Sequence, residues 1–469
     1  MKTNTNPDLP STTLIPRDIQ LFLSGRSLLQ QELPFSQKIM NEHLSQGLIK
    51  LKPGIRIQHR TLRCERCANT VMRLFGRFPC ANCGKECSYC RKCIMMGRVS
   101  TCTPLYSWNG PIPENNVTVS LQWQGELSPG QKLASEAVLQ AIESSSEILI
   151  WAVCGAGKTE VLFAGIEKAL QLGHRVCIAT PRTDVVLELA PRFKKVFPTI
   201  DIAALYGGSD DRNLYAPLTI STTHQLLRFE AAFDAIVVDE VDAFPYTFDE
   251  SLQWAVKKAA MLRSANIYLT ATPSATWQIE CKVGKRPHIK IPARYHRKPL
   301  PVPAFTWCGN WRKQLEKEII PHKIIQWVRQ RITAKKQALV FFPHIELMEK
   351  ALPLFRRLHQ AIESVHAEDP ERKEKVESMR AKKIPILLTT TILERGVTFP
   401  NIDVAVIGAE DDTFTESALV QISGRVGRSA SYPSGKITFF HYGRTQAMIK
   451  ALTHIDEMNQ EAQKKGLLS

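Results

Sequence analysis

The stretch EILIWAVCGAGKTEVLFAGIEKAL, residues 147–170, decides the fold of this chain. Its apolar run at 148–153 predicts a buried strand, CGAGK predicts a glycine-rich loop, and the pattern from Thr159 onward predicts a helix. This order is typical of a phosphate-binding loop, because loop N–H groups and the helix N-terminus together cradle phosphates. A glycine-rich turn without function is the alternative, which the flanking strand and helix disfavour.

The loop allows nucleotide contacts to be predicted residue by residue. We expect Lys158 to contact the β- and γ-phosphates of ATP and Thr159 to bind Mg²⁺. The loop residues expected to surround the phosphates are Cys154, Gly155, Ala156 and Gly157. Core packing is the alternative role for Cys154. Just upstream, ELSPGQ ends on Gln131, whose side-chain amide is expected to contact adenine; it could instead simply begin a helix.

Two adjacent acidic residues are expected to complete the hydrolytic chemistry. In AIVVDEVDAF, residues 235–244, the β-branched run predicts a strand that places Asp239 and Glu240 at the carboxyl edge of a sheet. We expect Asp239 to hold the hydration shell of Mg²⁺, and Glu240 to orient or deprotonate the attacking water. Acids that only solvate a loop are the alternative, which a phosphate loop about 80 residues upstream makes weak.

Further polar segments follow predicted strands in the same region. TATPS, residues 270–274, is expected to couple hydrolysis to movement through Thr270, Ala271 and Thr272. Contacts with a phosphodiester backbone, which carry little sequence information, are expected at Pro181, Arg182, Thr222, Thr223 and His224. Helix capping by Ser or Thr explains each segment separately almost as well, so their order along the chain is what favours function.

A second parallel α/β domain is predicted after residue 303. The segment 291–303, IPARYHRKPLPVP, is rich in proline and positive charge and is predicted to be a linker. Four apolar runs beyond it read as buried strands, at 338–342, 384–391, 404–408 and 436–442. Helical stretches of mixed charge separate them. The fold class predicted is therefore α/β, with two tandem RecA-like parallel-sheet domains preceded by a small zinc-binding module.

Two strings in the second domain are expected to contact nucleotide and nucleic acid. TTTILERGVTFP, residues 389–400, offers Thr390 and Thr391 to the nucleic acid and Gly396 to the nucleotide. QISGRVGRS, residues 421–429, offers three candidate catalytic side chains, Gln421, Arg425 and Arg428. On a helix or tight turn both arginines point to one face, where they would act as arginine fingers on a γ-phosphate. A basic surface or a nucleic-acid contact is the alternative for this string alone.

Eight of the 12 cysteines lie close together and predict a zinc module. They are Cys64, Cys67, Cys80, Cys83, Cys87, Cys90, Cys93 and Cys102. The CxxC spacing recurs four times, and two such turns can complete a tetrahedral site. A disulfide scaffold suits small secreted domains, and a redox pair uses fewer cysteines. Eight ligands suit two Zn²⁺ ions, while the grouping of the ligands, sequential or interleaved, stays open.

Charge is concentrated around this module. The chain carries a net charge of +16, and residues 51–100 hold 11 Lys and Arg against 2 Asp and Glu. A polyanion partner and a solubilising surface are both consistent with that block. Two Cys₄ sites would offset part of it, since each carries a formal charge of about −2. No signal peptide or membrane span is apparent in the sequence, so we expect a soluble, cytoplasmic protein.

These patterns divide the chain into five parts. The expected parts are an N-terminal extension at 1–55, a zinc-binding module at 56–104, a RecA-like domain with the phosphate loop at 105–290, a linker at 291–303 and a RecA-like domain with the arginines at 304–469. With loop and arginines on different domains, bound ATP would favour closure and hydrolysis would favour opening. Alternating grip on the backbone would then drive stepping along a strand.

Read in order, the motifs resemble those of superfamily-two DEAD-box-like helicases. The departure at Ala152, where the strict phosphate loop has glycine, matches the AxxGxGKT form common in that superfamily, whereas DEVD at 239–242 differs from DEAD. A cysteine module ending in CSYCRKCIMMGRVS directly before the motor resembles the ComFA family of late-competence ATPases. The resemblance implies a cytoplasmic ATPase dependent on single-stranded DNA, which uses ATP, Mg²⁺ and Zn²⁺ in drawing transforming DNA through an uptake channel. It also implies the partners ComFC and ComEC, at the inner face of the membrane, and an oligomer is possible.

Two other functions remain as alternatives. A duplex-unwinding helicase similar to PriA would serve replication restart or repair, although the zinc-binding cysteines of PriA interrupt its motor and those of this chain precede it. A zinc-dependent DNA-binding adaptor would use the nucleotide only as a switch. The complete hydrolytic set, from Lys158 to Arg428, argues against the adaptor.

Overall fold

The computed structural model describes residues 17–58, 61–115, 117–394 and 399–469. The chain forms two compact units, and each is assembled from three separate stretches of the sequence. Unit one comprises Met1–Gly125, Ser135–Leu149 and Leu162–Leu269, and unit two comprises Glu126–Ala134, Ile150–Val161 and Thr270–Ser469. The phosphate loop therefore belongs to the same unit as the C-terminal sheet, and Asp239 and Glu240 belong to unit one.

The N-terminal part of unit one is built from short strands and two helices. Its elements are α1 (Arg17–Leu23), β1 (Leu28–Leu29), α2 (Gln37–Ser45), β2 (Ile49–Pro53), β3 (Ile55–Gln58), β4 (Thr61–Cys64), β5 (Phe75–Pro79), β6 (Glu86–Cys90) and β7 (Pro104–Trp108). β1, β7 and β2 form an antiparallel sheet, while β3 pairs with β4 and β5 with β6 as hairpins. A small core of its own, centred on Phe22, Leu23 and Tyr106, supports the sheet.

The next elements form a seven-stranded sheet with helices between the strands. They are α3 (Pro129–Glu143), β8 (Glu147–Ala152), α4 (Lys158–Val161), α5 (Phe163–Gln171), β9 (Val176–Thr180), α6 (Thr183–Val196), β10 (Ile202–Leu205), β11 (Leu218–Thr222), β12 (Phe233–Val238), α7 (Glu250–Ala259), β13 (Ala260–Thr270), α8 (Ala275–Lys282) and β14 (His288–Ile291). The strand order is β10-β11-β9-β12-β13-β8-β14. The neighbouring pairs from β10 to β13 are parallel, so their carboxyl ends meet at one edge.

The remaining elements form a six-stranded sheet in unit two. They are β15 (Ala304–Trp307), α9 (Trp311–Glu316), α10 (His322–Thr333), β16 (Gln337–Phe341), α11 (Ile345–Arg356), β17 (Glu363–Val365), α12 (Arg372–Arg380), β18 (Ile386–Thr389), β19 (Ile402–Ile407), α13 (Glu416–Ser423), β20 (Ile437–His441) and α14 (Gln446–Lys464). The order is β15-β20-β19-β16-β18-β17, with every neighbouring pair parallel. Strands that are buried along their whole length, such as β18 and β19, explain the continuous apolar runs in the sequence.

The two parallel sheets and the cysteine-rich part confirm the predicted α/β class. The predicted second-domain strands are observed within two residues of their expected ends as β16, β18, β19 and β20. The helix after the phosphate loop differs from expectation, since it breaks at Leu162 into α4 and α5. Among the described helices, none is both long and apolar enough to traverse a lipid bilayer.

Candidate functional site

The eight clustered cysteines form two groups of four that interleave along the chain. Cys64, Cys67, Cys90 and Cys93 make up the inner cluster, and Cys80, Cys83, Cys87 and Cys102 the outer cluster. Within each cluster the Sγ atoms all lie within 4.8 Å of one another, and the shortest Sγ–Sγ distances are 3.4–3.7 Å. Thiolates around one Zn²⁺ lie about 3.8 Å apart, given Zn–S bonds of about 2.3 Å. Both clusters therefore have the dimensions of a tetrahedral metal site.

Local structure explains why the clusters interleave. Cys64 ends β4 and Cys90 ends β6, so two hairpins bring the CxxC turns at 64–67 and 90–93 together. The β5–β6 hairpin carries Cys80, Cys83 and Cys87 of the outer cluster between these turns, and Cys102, just before β7, completes the cluster. All 12 cysteines carry free thiols, which contradicts the disulfide alternative. The inner cluster is fully buried, whereas Cys83 of the outer cluster is exposed.

A buried ionic network joins the inner cluster to the sheet of unit one. Arg66, between Cys64 and Cys67, is fully buried and pairs with Glu32. The same Glu32 carboxylate accepts from Arg228 Nε at 2.7 Å. Burial alone would raise the pKa of Glu32, but the two guanidiniums outweigh it and hold that pKa below its usual value. Sequence reasoning missed this network, because nothing in the spacing of residues 32, 66 and 228 joins them.

The strand ends of unit one bring most of the predicted nucleic-acid contacts to one edge. Thr223 N donates to Thr180 O at 2.9 Å, and Asp239 N donates to Ala179 O at 2.8 Å. These bonds align the ends of β11, β9 and β12. The predicted contacts are not equally accessible, since Thr222 and Thr223 have buried side chains and His224 is exposed. Arg182 pairs with Asp184 at 3.3 Å and is half-buried.

Glu240 follows β12 in a conformation that side chains rarely adopt. Its φ is +56°, in the left-handed region, and its N–H donates to Asp239 Oδ1 at 2.8 Å. A non-glycine residue held there costs about 1–3 kcal/mol and is found preferentially at functional sites. The turn thus fixes the direction in which the two acids leave the strand.

The phosphate loop of unit two has the glycine geometry that the sequence predicts. Gly155 and Gly157 adopt φ of +81° and +74°. Gln131 is buried in the first turn of α3, and its Nε2 donates to Gly157 O at 3.1 Å, so that a Cβ at position 157 would clash with this amide. The side chain expected to contact adenine is therefore hydrogen-bonded to the phosphate loop itself. Both its position in a helix and its contact with the loop are observed.

The arginine-bearing string lies against the phosphate loop within unit two. Cys154 Sγ donates to Gln421 Oε1 at 3.0 Å, and a Cβ on Gly424 would clash with Cys154. α13 ends before both arginines, which lie in the turn that follows. Arg425 is buried and its Nε donates to Glu394 O at 2.8 Å, whereas Arg428 is only half-buried.

The predicted coupling segment also contacts α13. Thr272 N donates to Thr270 Oγ1 at 3.0 Å, and the Thr272 and Ser417 hydroxyls lie 2.8 Å apart. Ala271 is buried, and its carbonyl accepts from Trp151 Nε1 at 3.1 Å. The segment therefore touches both the strand before the phosphate loop and the helix before the arginines. Thr390 is buried and Thr391 half-buried, while Gly396 and the neighbouring Arg395 lie outside the described residues.

Arg294 connects the phosphate loop to the arginine turn, and sequence reasoning missed it. Its buried guanidinium donates to the carbonyls of Val426 and Gly427, while Tyr295 N donates to Gly155 O at 3.1 Å. Burial, together with the smaller effect of the nearby Arg428 charge, lowers the pKa of Arg294 to about 10. The sequence ARYHRK, residues 293–298, contains this arginine, but its positive charge predicts only a linker.

Replacing Arg294 with lysine or alanine is expected to lower the maximal ATPase rate by about tenfold or more, because alanine removes both hydrogen bonds that Arg294 gives the arginine turn and lysine replaces at most one of them. We expect kcat to fall while the nucleotide Kd changes little, measured by steady-state kinetics and nucleotide titration. Arg297→Ala is the matched control, since that exposed side chain donates to the carbonyls of Gly466 and Leu467 and not to the arginine turn. Full activity in Arg294→Ala would contradict a positioning role.

Comparison with known proteins identifies relatives along almost the whole chain. Residues 12–107 match the family described as Competence protein ComFA N-terminal domain. Residues 124–275 match the type III restriction enzyme res subunit family, and residues 319–430 the helicase conserved C-terminal domain. The three matches fall on the cysteine-rich part, the seven-stranded sheet and the six-stranded sheet respectively.

Two curated relatives cover nearly the full length. The chain is 48% identical over 459 residues to Competence protein ComFA of Bacillus subtilis (strain 168), covering 98% of this chain and 99% of that protein. It is 35% identical over 451 residues to Competence protein ComFA of Streptococcus pneumoniae (strain ATCC BAA-255 / R6), covering 95% and 99%. Among solved structures, a variant of S. cerevisiae Dbp5 bound to RNA and ADP BeF3 superposes with a TM-score of 0.51 at 13% identity, covering 73% of this chain and 98% of that one. That likeness supports the helicase fold.

Proposed function

The chain belongs to the ComFA family of competence proteins, and from that premise we propose that it is an ATPase that translocates along single-stranded DNA during the uptake of transforming DNA. One observation carries the proposal. The phosphate loop and the arginine-bearing turn meet through Cys154, Gln421 and Gly424, with Arg294 bonded to the turn. Such contact is what a hydrolytic site needs, because arginines must reach the phosphates that the loop holds.

We assign the roles in hydrolysis by motif. Lys158 and the loop amides bind the ATP phosphates, Thr159 and Asp239 hold Mg²⁺, and Glu240 activates water. Each arginine donates through Nε to a backbone carbonyl, but Arg425 is buried and Arg428 only half-buried, so Arg428 is the better candidate for a finger. Arg425 then orders the segment before residue 395, and Arg428 contacts the γ-phosphate.

We further propose that each cysteine cluster binds one Zn²⁺. The geometry supports this, since four sulfurs at tetrahedral spacing suit that metal and buried thiols gain most from it. Zinc would supply rigidity, because a site closed by four cysteines leaves no open position for chemistry. The ions would thereby hold the two hairpins in the positions that set Arg66 against Glu32.

The family premise extends the proposal to partners. We propose that the protein acts in the cytoplasm, at the inner face of the membrane, with ComFC and the ComEC channel. Among the described residues, the strand-end edge of unit one offers backbone amides together with Arg182 and His224. This combination suits sequence-independent binding of phosphodiesters.

The test compares ATPase rates with matched single-stranded DNA, duplex DNA and RNA at stated salt concentrations. We expect strong stimulation by single-stranded DNA alone. A strand-displacement assay on forked DNA separates translocation from the alternative of duplex unwinding, since a translocase need not melt base pairs. Turnover near zero at saturating DNA would instead favour a nucleotide-switched adaptor.

A further inference from the structure

Two adjacent phenylalanines on the turn after β12 have exposed rings. Phe244 and Phe248 are 76% and 77% exposed, whereas the other 17 phenylalanines are buried or half-buried. Their ring centroids lie 6.4 Å apart at 45°. Burying a phenylalanine side chain gains about 1.5–3 kcal/mol, so two neighbouring rings left in water point to a ligand that covers them.

The turn holds the rings outward by its own bonds. Thr247 N donates to Ala243 O at 3.2 Å, and Thr247 Oγ1 donates to the same carbonyl at 3.0 Å. Tyr246, between the phenylalanines, is buried, and its carbonyl accepts from Gln253 Nε2 at 3.1 Å. The buried Tyr246 therefore anchors the turn, and Phe244 and Phe248, two residues before and after it, are exposed. This is a fixed display, with little entropy to lose when a ligand binds.

The turn that carries the rings is itself acidic, with Asp242, Asp249 and Glu250, and the basic groups lie on neighbouring segments. The turn follows β12, which pairs with β9, and β9 pairs in turn with β11; the segments after β9 and β11 carry Arg182 and His224 at the same edge of the sheet. Burial lowers the pKa of His224, and the carboxylate of Asp249, next to Phe248, partly opposes that shift; Asp249 also pairs with Lys92 at 3.0 Å. Lys92 belongs to residues 51–100, the segment with 11 Lys and Arg against 2 Asp and Glu. Aromatic rings that share a sheet edge with predicted phosphate contacts suit a single strand, whose bases can stack while its backbone is held.

We propose that Phe244 and Phe248 form a stacking platform for the bases of single-stranded DNA. The platform rests on the proposed function and adds a base contact to the phosphate grip. Bases in a duplex already stack on each other and offer no free faces, so the platform favours unpaired strands without reading sequence. A protein partner would be expected to cover aliphatic surface too, but the turn residues beside the rings are Pro245, Thr247 and Asp249.

The backbone turn before Phe244 also connects the platform to Glu240. Ala243 N donates to Glu240 O at 2.8 Å, so one hydrogen-bonded turn carries both Glu240 and Phe244. A base stacked on Phe244 restrains the backbone that sets the direction of the Glu240 carboxylate. Stimulation by DNA would then depend on the rings even when DNA is saturating.

The experiment measures Kd by fluorescence anisotropy for an oligothymidylate and for an abasic strand of equal length. For Phe244→Ala/Phe248→Ala we expect at least about a 30-fold loss of affinity for the oligothymidylate, the low end for two stacked bases. Affinity for the abasic strand is expected to change by less than about threefold. The slope of log Kd against log salt should stay as in the parent, since no phosphate contact is removed.

Two further variants sharpen the result. Leu262→Ala removes a fully exposed apolar side chain from β13 of the same unit and is expected to bind both strands like the parent. Phe248→Trp should retain affinity, and DNA should quench more fluorescence in this variant than in the parent, whose eight tryptophans set the background. Unchanged binding of the double alanine variant, or equal losses on both strands, would overturn the platform.

Failure of the platform and failure of the proposed function give different patterns. A parent protein stimulated by single-stranded DNA whose phenylalanine variants bind both strands normally overturns the platform alone. A parent without stimulation, whose variants lose affinity only for the base-bearing strand, overturns the proposed motor and supports the platform.

Discussion

Replacing Glu240 with glutamine is expected to lower DNA-stimulated ATP hydrolysis by about 10²–10⁴-fold, the range of a lost general base. Glutamine keeps the shape of the side chain but cannot accept the proton of the attacking water. The substitution leaves the backbone unchanged in kind, so we expect the φ of +56° at this position to be kept in the variant. We therefore expect ATP and single-stranded DNA to bind at near-parental Kd values, measured by nucleotide titration and anisotropy, while kcat falls.

Lys158→Ala is the complementary variant. It removes the cation that meets the phosphates, so both nucleotide affinity and turnover should be lost. Glu250→Gln is the matched control, because that exposed carboxylate begins α7 only ten residues after Glu240. A Glu240→Gln protein that retains full stimulated turnover would contradict the assignment of this residue as the base, and with it the proposed motor.

The sequence predicted what local pattern determines. The phosphate loop needs glycines at two positive-φ positions, and both Gly155 and Gly157 adopt them. Buried parallel strands are apolar along their length, so runs such as 404–408 could be located within two residues. Cysteine spacing predicted a metal module because CxxC turns have few other uses at this density.

What sequence could not predict depends on contacts between distant residues. The grouping of cysteines required the β3–β4 and β5–β6 hairpins, whose pairing no spacing reveals. Arg294 looks like linker charge until its guanidinium is found bonded to Val426 and Gly427. Phe244 reads as the end of an apolar run after DEVD, and only the structure shows its ring outside the core.

The two cysteine clusters differ in how they connect to the rest of unit one. Through Arg66 and Glu32, the inner cluster reaches Arg228, which follows the segment at 222–224 predicted to contact DNA. Lys258 Nζ adds bonds to Arg66 O at 3.1 Å and Leu227 O at 2.7 Å. Burial, together with the nearby Arg66 charge, lowers the pKa of Lys258 to about 8. These bonds predict that the inner cluster supports the edge proposed to bind DNA, whereas Cys80, Cys83 and Cys87 of the outer cluster belong to the β5–β6 hairpin.

Cys90→Ser and Cys83→Ser should therefore have unequal effects, although each is expected to remove one Zn²⁺, measured by elemental analysis. For Cys90→Ser we expect a large loss of thermal stability in the cysteine-rich part, since structural zinc sites supply about 10–16 kcal/mol of binding free energy in small domains. Without its metal the turn at 64–67 loosens, and Arg66 no longer holds Glu32 against Arg228. Breaking a buried pair of this kind costs about 3–5 kcal/mol. Stimulation by single-stranded DNA should fall at least about tenfold, because the segment before Arg228 loses its support.

Cys83→Ser is the matched comparison, because Cys83 is exposed and belongs to the outer cluster. We expect stimulated turnover and DNA affinity close to those of the parent, with loss of stability confined to the β5–β6 hairpin. Glu32→Gln distinguishes the effect of losing the metal from the effect of losing the Arg66–Glu32–Arg228 network. It should keep both Zn²⁺ ions and yet weaken stimulation by DNA as Cys90→Ser does. Equal turnover in Cys90→Ser and Cys83→Ser would show that the inner cluster has no privileged connection to the motor, and two retained Zn²⁺ ions in Cys90→Ser would contradict the ligand grouping itself.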